Sequence, residues 1–203
     1  MQCTTGLFRK DITDIDVILP VVHGNNVEDG TLAGYLDTVG VPYVGSHVLG
    51  AALGQDKVAM KQIMASNDIP VVDYTWFFDN EYTEDKDRIL KNIKKVGYPV
   101  VVKPATLGSS VGITYVKSEK DIEEALETAI SYDTKVVVEK AVENLVEVND
   151  SVLGSYEYQK VSPIEEVMGE DEILSYADKY LGNAKKTGSA SKGMASTSRI
   201  IPA

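Results

Sequence analysis

Cysteine is almost missing from this sequence: Cys3 is the one thiol in 203 residues. A lone cysteine forms no internal disulfide and no cysteine metal cluster. Histidine is nearly as scarce, with His23 and His47 alone, which argues against zinc sites of the usual nitrogen and sulfur type. No apolar run approaches the ~20 residues that span a bilayer. The first six residues show no basic segment leading into an apolar core, so no secretory signal is expected. Basic residues are outnumbered 20 to 31 by acidic ones, giving a net charge of -11 and a pI near 4.6. Such a chain repels phosphate backbones, which argues against general nucleic-acid binding. A nucleotide stays open, because a few lysines aimed into one cleft outweigh a distant negative surface. The expectation is a soluble, cytoplasmic protein with neither nucleic acid nor membrane as partner.

What is present reads as alternating strands and helices. Residues 16–22 (DVILPVV) form an apolar run ending at His-Gly, the pattern of a buried strand. Residues 30–39 carry Leu32, Tyr35, Leu36 and Val39 at helical spacing, and 41–46 (VPYVGS) read as a short strand. One long helix is expected over 51–66, a strand over 69–77, and a charged amphipathic helix over 84–96. A strand over 98–103 leads directly into a glycine and serine loop at 107–112. Ser118 and Asp121 stand at capping-box spacing before a helix to 131, and 134–139 is a valine-rich strand. The alternation over 146–167 suits two or three antiparallel strands. Residues 182–198, rich in Gly, Ser, Lys and Ala, read as a long flexible loop.

Several stretches carry chemistry. In KPATLGSSVG (103–112), a lysine at a strand end can hold its ammonium in a cleft. The loop behind it offers N–H and hydroxyl donors to a phosphate. It is not a Walker loop, since the glycines do not precede a Lys-Ser/Thr pair. Taken alone, it is equally a hairpin turn with a surface lysine. Lys57 and Lys61, one helical turn apart, ordinarily mark a solvated face. In VVVEKAV (136–142) a strand leads into a hinge whose backbone groups suit an adenine edge. Glu147 could accept from ribose hydroxyls, or be a charge on a strand edge. His23-Gly24 leads to Glu28-Asp29-Gly30 at a helix start, a place for a carboxylate ligand, or simply a helix capped by Asp29. Asp178-Lys179-Tyr180 reads as a lid fragment or a charged turn.

In order, HG…EDG, YVGS, DK…K, VKP…GSSVG, VVEK…E and DKY resemble the D-alanine–D-alanine ligase family of the ATP-grasp class, over essentially 16–203. The DKY and SKGMAS lid most resembles the D-serine-using, vancomycin-resistance-type branch. The resemblance implies an α/β and α+β ATP-grasp fold, incomplete, with the remnant of an N-terminal α/β lobe. It divides the chain into 1–52 (second half of that lobe), 53–140 (central subdomain) and 141–203 (start of the C-terminal subdomain with its lid).

By that resemblance, ATP phosphorylates the carboxylate of one D-alanine, and the amine of a second D-alanine or D-serine attacks the acyl phosphate, for peptidoglycan precursors. Lys57 and Lys103 match phosphate-binding lysines. Ser109 matches a substrate-positioning serine and Ser110 a phosphate-contacting one. Glu139, Lys140 and Val142 match the adenine hinge, Glu147 the ribose carboxylate, and His23 a histidine near the first D-alanine. Lys179 and Tyr180 match the lid pair, which favours an amine nucleophile over D-lactate. Homodimers are usual in the family.

Departures exist. Val27 stands where the family usually has glycine. The family's upstream glutamate, its Mg2+ ligands and an oxyanion arginine are expected outside this chain, which therefore looks truncated at both ends and is expected to turn over little by itself. Two other readings compete: another ATP-grasp ligase, which would lack the HG…EDG and YVGS pair, and a non-catalytic ATP-binding remnant. The resemblance hangs on Lys103 and the serine turn facing a cleft opposite the Glu139 strand.

Overall fold

The structure is a computed structural model describing residues 2–4, 10–12, 14–168 and 198–203. It divides into two compact units: Met1–Val71 with Ala105–Gly108, and Val72–Pro104 with Ser109–Ala203.

The first unit begins with a short antiparallel hairpin, β1 (Gln2–Thr4) against β2 (Lys10–Ile12). Three helices follow: α1 (Thr31–Val39), α2 (Val48–Gln55) and α3 (Lys57–Ser66). Residues 16–22 do not form the expected buried strand. Ile18 makes one parallel bridge to Tyr43, and Val17, Leu19, Val21 and Val22 are exposed. A parallel strand reads as buried only when neighbours cover both its faces, and the single bridge supplies little cover. The strand expected at 41–46 is likewise reduced to Tyr43. The single helix expected over 51–66 is two helices broken at Asp56, whose backbone is extended (φ -79°, ψ 105°). Its N–H closes α2 on Ala52 O, while its carboxylate accepts from Val58 N–H and Ala59 N–H (2.9 and 3.1 Å) and starts α3.

The second unit is built on β3 (Tyr74–Phe78), α4 (Asp79–Glu84), α5 (Lys86–Val96), β4 (Val100–Pro104), β5 (Thr114–Val116), α6 (Ile122–Ile130) and β6 (Lys135–Lys140). The four strands form one antiparallel sheet in the order β3-β6-β4-β5. Because side chains alternate along a strand, Phe77, Val100, Val102, Val116, Val136 and Val138 enter one face. There they pack with Ile89 and Ile93 of α5 and Ile122, Ala125, Leu126 and Ala129 of α6. The strand expected from 69 begins only at Tyr74, and the helix expected over 84–96 is preceded by the separate turn of α4. Ser118 makes no side-chain cap. A 3-10 turn over Glu119–Asp121 intervenes before α6, so the capping-box reading fails there.

Beyond the hinge, β7 (Glu147–Asn149), β8 (Val152–Gly154), β9 (Gln159–Val161) and β10 (Glu165–Met168) supply four short strands where two or three were expected. β8 pairs with β9, and β10 pairs with both β7 and β11 (Ser198–Ile200), all antiparallel. Most of the loop expected over 182–198, with Lys179 and Tyr180 before it, lies outside the described residues. Among the described residues, no helix is long and apolar enough to cross a membrane.

Candidate functional site

In the second unit the register of β4 and β6 sets the site. Glu139 stands opposite Val101 and Lys103 opposite Val137. Alternation therefore places Lys103 and Glu139 on the sheet face away from the helix core, as diagonal neighbours. Their side chains meet, Lys103 Nζ donating to Glu139 Oε2 at 2.5 Å. The Glu139 side chain is 8% exposed and that of Lys103 24%. The two strands are thus hydrogen-bonded neighbours rather than opposite walls of a cleft. Lys103, with its side chain 24% exposed and paired, is not the surface lysine of the hairpin reading. A buried charge needs a partner of opposite sign, and each provides one for the other.

The loop after β4 is shaped by its backbone. Ser109 and Ser110 both have positive φ (57° and 60°), a conformation costly for residues with a Cβ. Positive φ at two successive residues is the pattern of a tight primed turn. Gly112 (φ 67°) closes the loop, and a Cβ there would lie 2.8 Å from both Pro104 Cγ and Tyr132 Cδ2.

The other hinge residues are spread out. Lys140 follows Glu139 and so takes the opposite face. Its ammonium donates to Gly97 O and Tyr98 O (3.1 and 2.8 Å). Lys140 N–H and Ala141 N–H donate to Asp73 O and Pro99 O, so neither amide is open to an adenine edge. Val142 is exposed just past β6, and Glu147 is exposed on β7.

In the first unit, Lys57 opens α3. Its N–H donates to Ala105 O (3.0 Å), and its ammonium to Leu107 O (2.5 Å) and Ala105 O (3.4 Å). Gln55 Nε2 donates to Thr106 O (2.7 Å). Gln55 and Lys57 thus hold three consecutive carbonyls of the stretch that follows Pro104. Lys61 is buried (8% exposed), so this lysine pair is not the solvated face its spacing implies. Asp56 stands in the sequence pattern only as the first residue of DK…K, and neither it nor Gln55 carries an expected role there. The signal was an N-cap type immediately before Lys57.

His23 is exposed at the entry to the 24–30 turn. Gly24 N–H donates to Glu28 Oε2 (2.8 Å), while the Asp29 carboxylate accepts from Asn26 N–H (2.7 Å) and Thr31 N–H (2.9 Å). The donated Thr31 hydrogen bonds, then that of Asn26, hold Asp29 below the usual carboxylate range. The cap position of α1 itself is Gly30 (φ 89°), one residue later than expected, and a Cβ there would meet Val48 O at 2.7 Å. Besides Gly24 and Gly30, the positive φ of the turn falls on Asn26, and Val27 is not among the residues with positive φ. Valine is therefore tolerated where glycine was the family expectation.

A cleft of about 370 Å³ adjoins this turn, lined by Val27, Glu28, Leu36, Tyr43, Ser46 and Gln55 among others. Tyr43 Oη lies 3.4 Å from Asp37 Oδ2 and from His47 Nδ1. Desolvation, then the Asp37 charge, raises the Tyr43 phenol above its usual range. Among the described residues, no group of three or more His, Cys, Asp or Glu side chains is placed to hold a metal ion.

Two family models match the chain: D-ala D-ala ligase N-terminus over residues 2–46 and D-ala D-ala ligase C-terminus over residues 63–199. A D-alanine–D-alanine ligase of Natranaerobius thermophilus is 42% identical over 180 residues, covering 88% of this chain and 48% of that protein. One from Borreliella burgdorferi is 41% identical over 177 residues, covering 86% and 49%. Among solved structures, the VanG D-Ala:D-Ser ligase of Enterococcus faecalis superposes with a TM-score of 0.74 at 30% identity, covering 95% of this chain and 51% of that one. The D-alanine–D-alanine ligase of Coxiella burnetii gives 0.69 at 31% identity, covering 77% and 45%. The chain spans about half the length of the relatives it matches. With the C-terminal model alone covering well over half of its residues, the chain belongs to the D-alanine–D-alanine ligase family and carries part of its ATP-grasp fold.

Proposed function

We propose that this chain supplies the nucleotide-binding part of an ATP-dependent ligase joining two D-amino acids, D-alanine with D-alanine or D-serine, for peptidoglycan precursors. The carrying observation is the buried Lys103–Glu139 pair on one sheet face, next in sequence to a serine turn with consecutive positive φ. Lys103 and Ser110 bind phosphate in this reading, Lys57 assists, Ser109 and His23 position the first D-amino acid, and Glu139, Lys140, Val142 and Glu147 hold the nucleoside. For Lys140, whose ammonium and N–H are both engaged, the carbonyl is the group left for this role. Lys179 and Tyr180 close over the site.

The reaction balances as transfer of the terminal phosphoryl group of ATP to one D-alanine carboxylate, followed by attack of the second amine with loss of phosphate. Cations and aimed N–H donors stabilise such a transfer by electrostatics. Mg2+ would neutralise the reacting phosphates. Among the described residues, no group of three or more His, Cys, Asp or Glu side chains is placed to hold it. The division into 1–52, 53–140 and 141–203, and a homodimeric state, belong to the same proposal.

Names among the relatives support D-alanine, and the neighbour named a D-Ala:D-Ser ligase supports D-serine as second substrate. Incubating the protein with ATP, Mg2+, D-alanine and D-serine, and reading dipeptides by mass spectrometry, separates the two. D-alanyl-D-serine as main product assigns the D-serine branch, and D-alanyl-D-alanine alone assigns the other. ATP binding with no dipeptide fits both the low turnover expected of this chain by itself and a nucleotide-binding remnant. Absence of ATP binding contradicts the proposal.

A further inference from the structure

Two successive serines, Ser109 and Ser110, hold positive φ in the turn after β4, where a tight turn of this hand ordinarily carries asparagine and glycine. Strain of that kind persists only where the surroundings fix it. Resting on the nucleotide reading above, we infer that Tyr132 is a positioning residue of the proposed phosphate site. Its ring, acting through Gly112, holds the serine turn in its binding-competent shape.

Tyr132 stands just past the end of α6. Ile122, Ala125, Leu126 and Ala129 bury that helix against the sheet, and Tyr132 N–H and Asp133 N–H both donate to Ala129 O at 3.1 Å. The ring is therefore mounted on the rigid layer of the second unit. Gly112 comes so near it that a Cβ there would lie 2.8 Å from Tyr132 Cδ2 and 3.3 Å from Tyr132 Cγ. Pro104, at the end of β4, comes as close, its Cγ 2.8 Å from the same point. Gly112 is thus set against two rings, one closing β4 and one following α6. Ile113 N–H makes a long hydrogen bond back to Ser110 O (3.5 Å), so a glycine held in place holds the second serine with it. Tyr132 is 54% exposed, and its hydroxyl makes no hydrogen bond among the described residues. The contact therefore uses the ring, and little of the fold's stability depends on it. Without the ring the turn samples other backbone shapes, since positive φ is costly for serine. An anion then binds only the fraction of molecules whose turn is correctly shaped.

The native protein, Tyr132→Phe and Tyr132→Ala are titrated with Mg2+-ATP by calorimetry, beside urea unfolding and amide hydrogen exchange. Tyr132→Ala is expected to bind ATP ~10-fold more weakly, as for a turn correctly shaped about a tenth of the time. Tyr132→Phe, which keeps the ring, should bind as the native protein does. Amide exchange at 109–112 should rise ~10-fold in Tyr132→Ala, while exchange in α6 and the urea midpoint stay close to the native values. A tyrosine that serves only the fold would instead lower the midpoint and raise exchange in α6 as well.

If the native protein binds no ATP, the nucleotide reading falls and the phosphate role of the turn with it. If ATP binds and Tyr132→Ala binds it as tightly as the native protein, the positioning role alone is overturned. A loss that Tyr132→Phe shares assigns the effect to the hydroxyl and overturns it too. So does a loss accompanied by a fallen urea midpoint, or by unchanged exchange at 109–112. Should Tyr132→Ala not fold, Tyr132→Leu is read in its place. Failure of both to fold overturns the positioning role, because the ring then serves the fold.

Discussion

Replacing Gly112 by alanine adds one methyl to the loop that follows Lys103, and its cost can be worked from three terms. Alanine at φ 67° takes the left-handed conformation, worth about 1–2 kcal/mol against it. The added Cβ would stand 2.8 Å from Pro104 Cγ and from Tyr132 Cδ2, and overpacking of that kind costs about 1–3 kcal/mol. Stiffening of the unfolded chain returns about 0.4–1 kcal/mol. The net expectation is about 2–4 kcal/mol of destabilisation of the second unit. With a urea slope of about 1–3 kcal/mol/M, the midpoint should fall by about 1–2 M. Equilibrium urea unfolding followed by Trp76 fluorescence reads this, since that residue lies in the same sheet. The contact term is isolated by a double-mutant cycle. Tyr132 is half exposed, so Tyr132→Ala alone should change little, yet in its background Gly112→Ala should cost about 1 kcal/mol less. A loss below about 0.5 kcal/mol, within the range of neutral surface changes, or a cycle with no coupling, would refute the packing of this loop against Pro104 and Tyr132.

Other consequences follow from single contacts. Asp56→Ala removes the acceptor of Val58 N–H and Ala59 N–H, costing about 1 kcal/mol of helix stability and raising amide exchange in the first turn of α3. Phe77→Ala empties a fully buried ring site beside Ile89 and Ile93 and should cost about 3–5 kcal/mol in urea unfolding. Asp29 contributes stability while ionised. Its folded pKa lies below the ordinary 3.8, so that contribution is present above pH 3.8 and is lost as pH falls through the folded value. Asp29→Asn should flatten this acid limb in a stability titration while leaving the Glu81-dependent slope, whose cause is the Phe78 N–H and then Arg88.

Local patterns carried much of this fold into the sequence. The valine runs at 100–102 and 136–138 read directly as buried strands, and the stripe of Ile89 and Ile93 as the core face of α5. What local patterns do not encode is which strands pair. The Lys103–Glu139 contact joins residues 36 positions apart through the β4–β6 register. No periodicity reveals that, so the two read as separate features across a cleft. The break at Asp56 was hidden because its neighbours keep helical spacing on both sides, and only the capping carboxylate interrupts them. The 16–22 run misled for the opposite reason. Its composition suits a parallel strand, yet among the described residues it finds one bridge, at Ile18. Val27 shows that a departure from a family pattern can be harmless when the strained φ falls on its neighbour, here Asn26. The lid pair Lys179 and Tyr180 lies outside the described residues, and its role rests on the proposal.

In the proposed reading, the face bearing Lys103 and Glu139 receives a nucleoside triphosphate. Calorimetric titration of the protein with Mg2+-ATP, beside Lys103→Met folded to the same circular dichroism spectrum, tests it directly. Saturable one-to-one binding by the native protein, weakened at least ~10-fold by the substitution, is the predicted result. Equal affinity in both proteins, or no saturable heat in either, would contradict it.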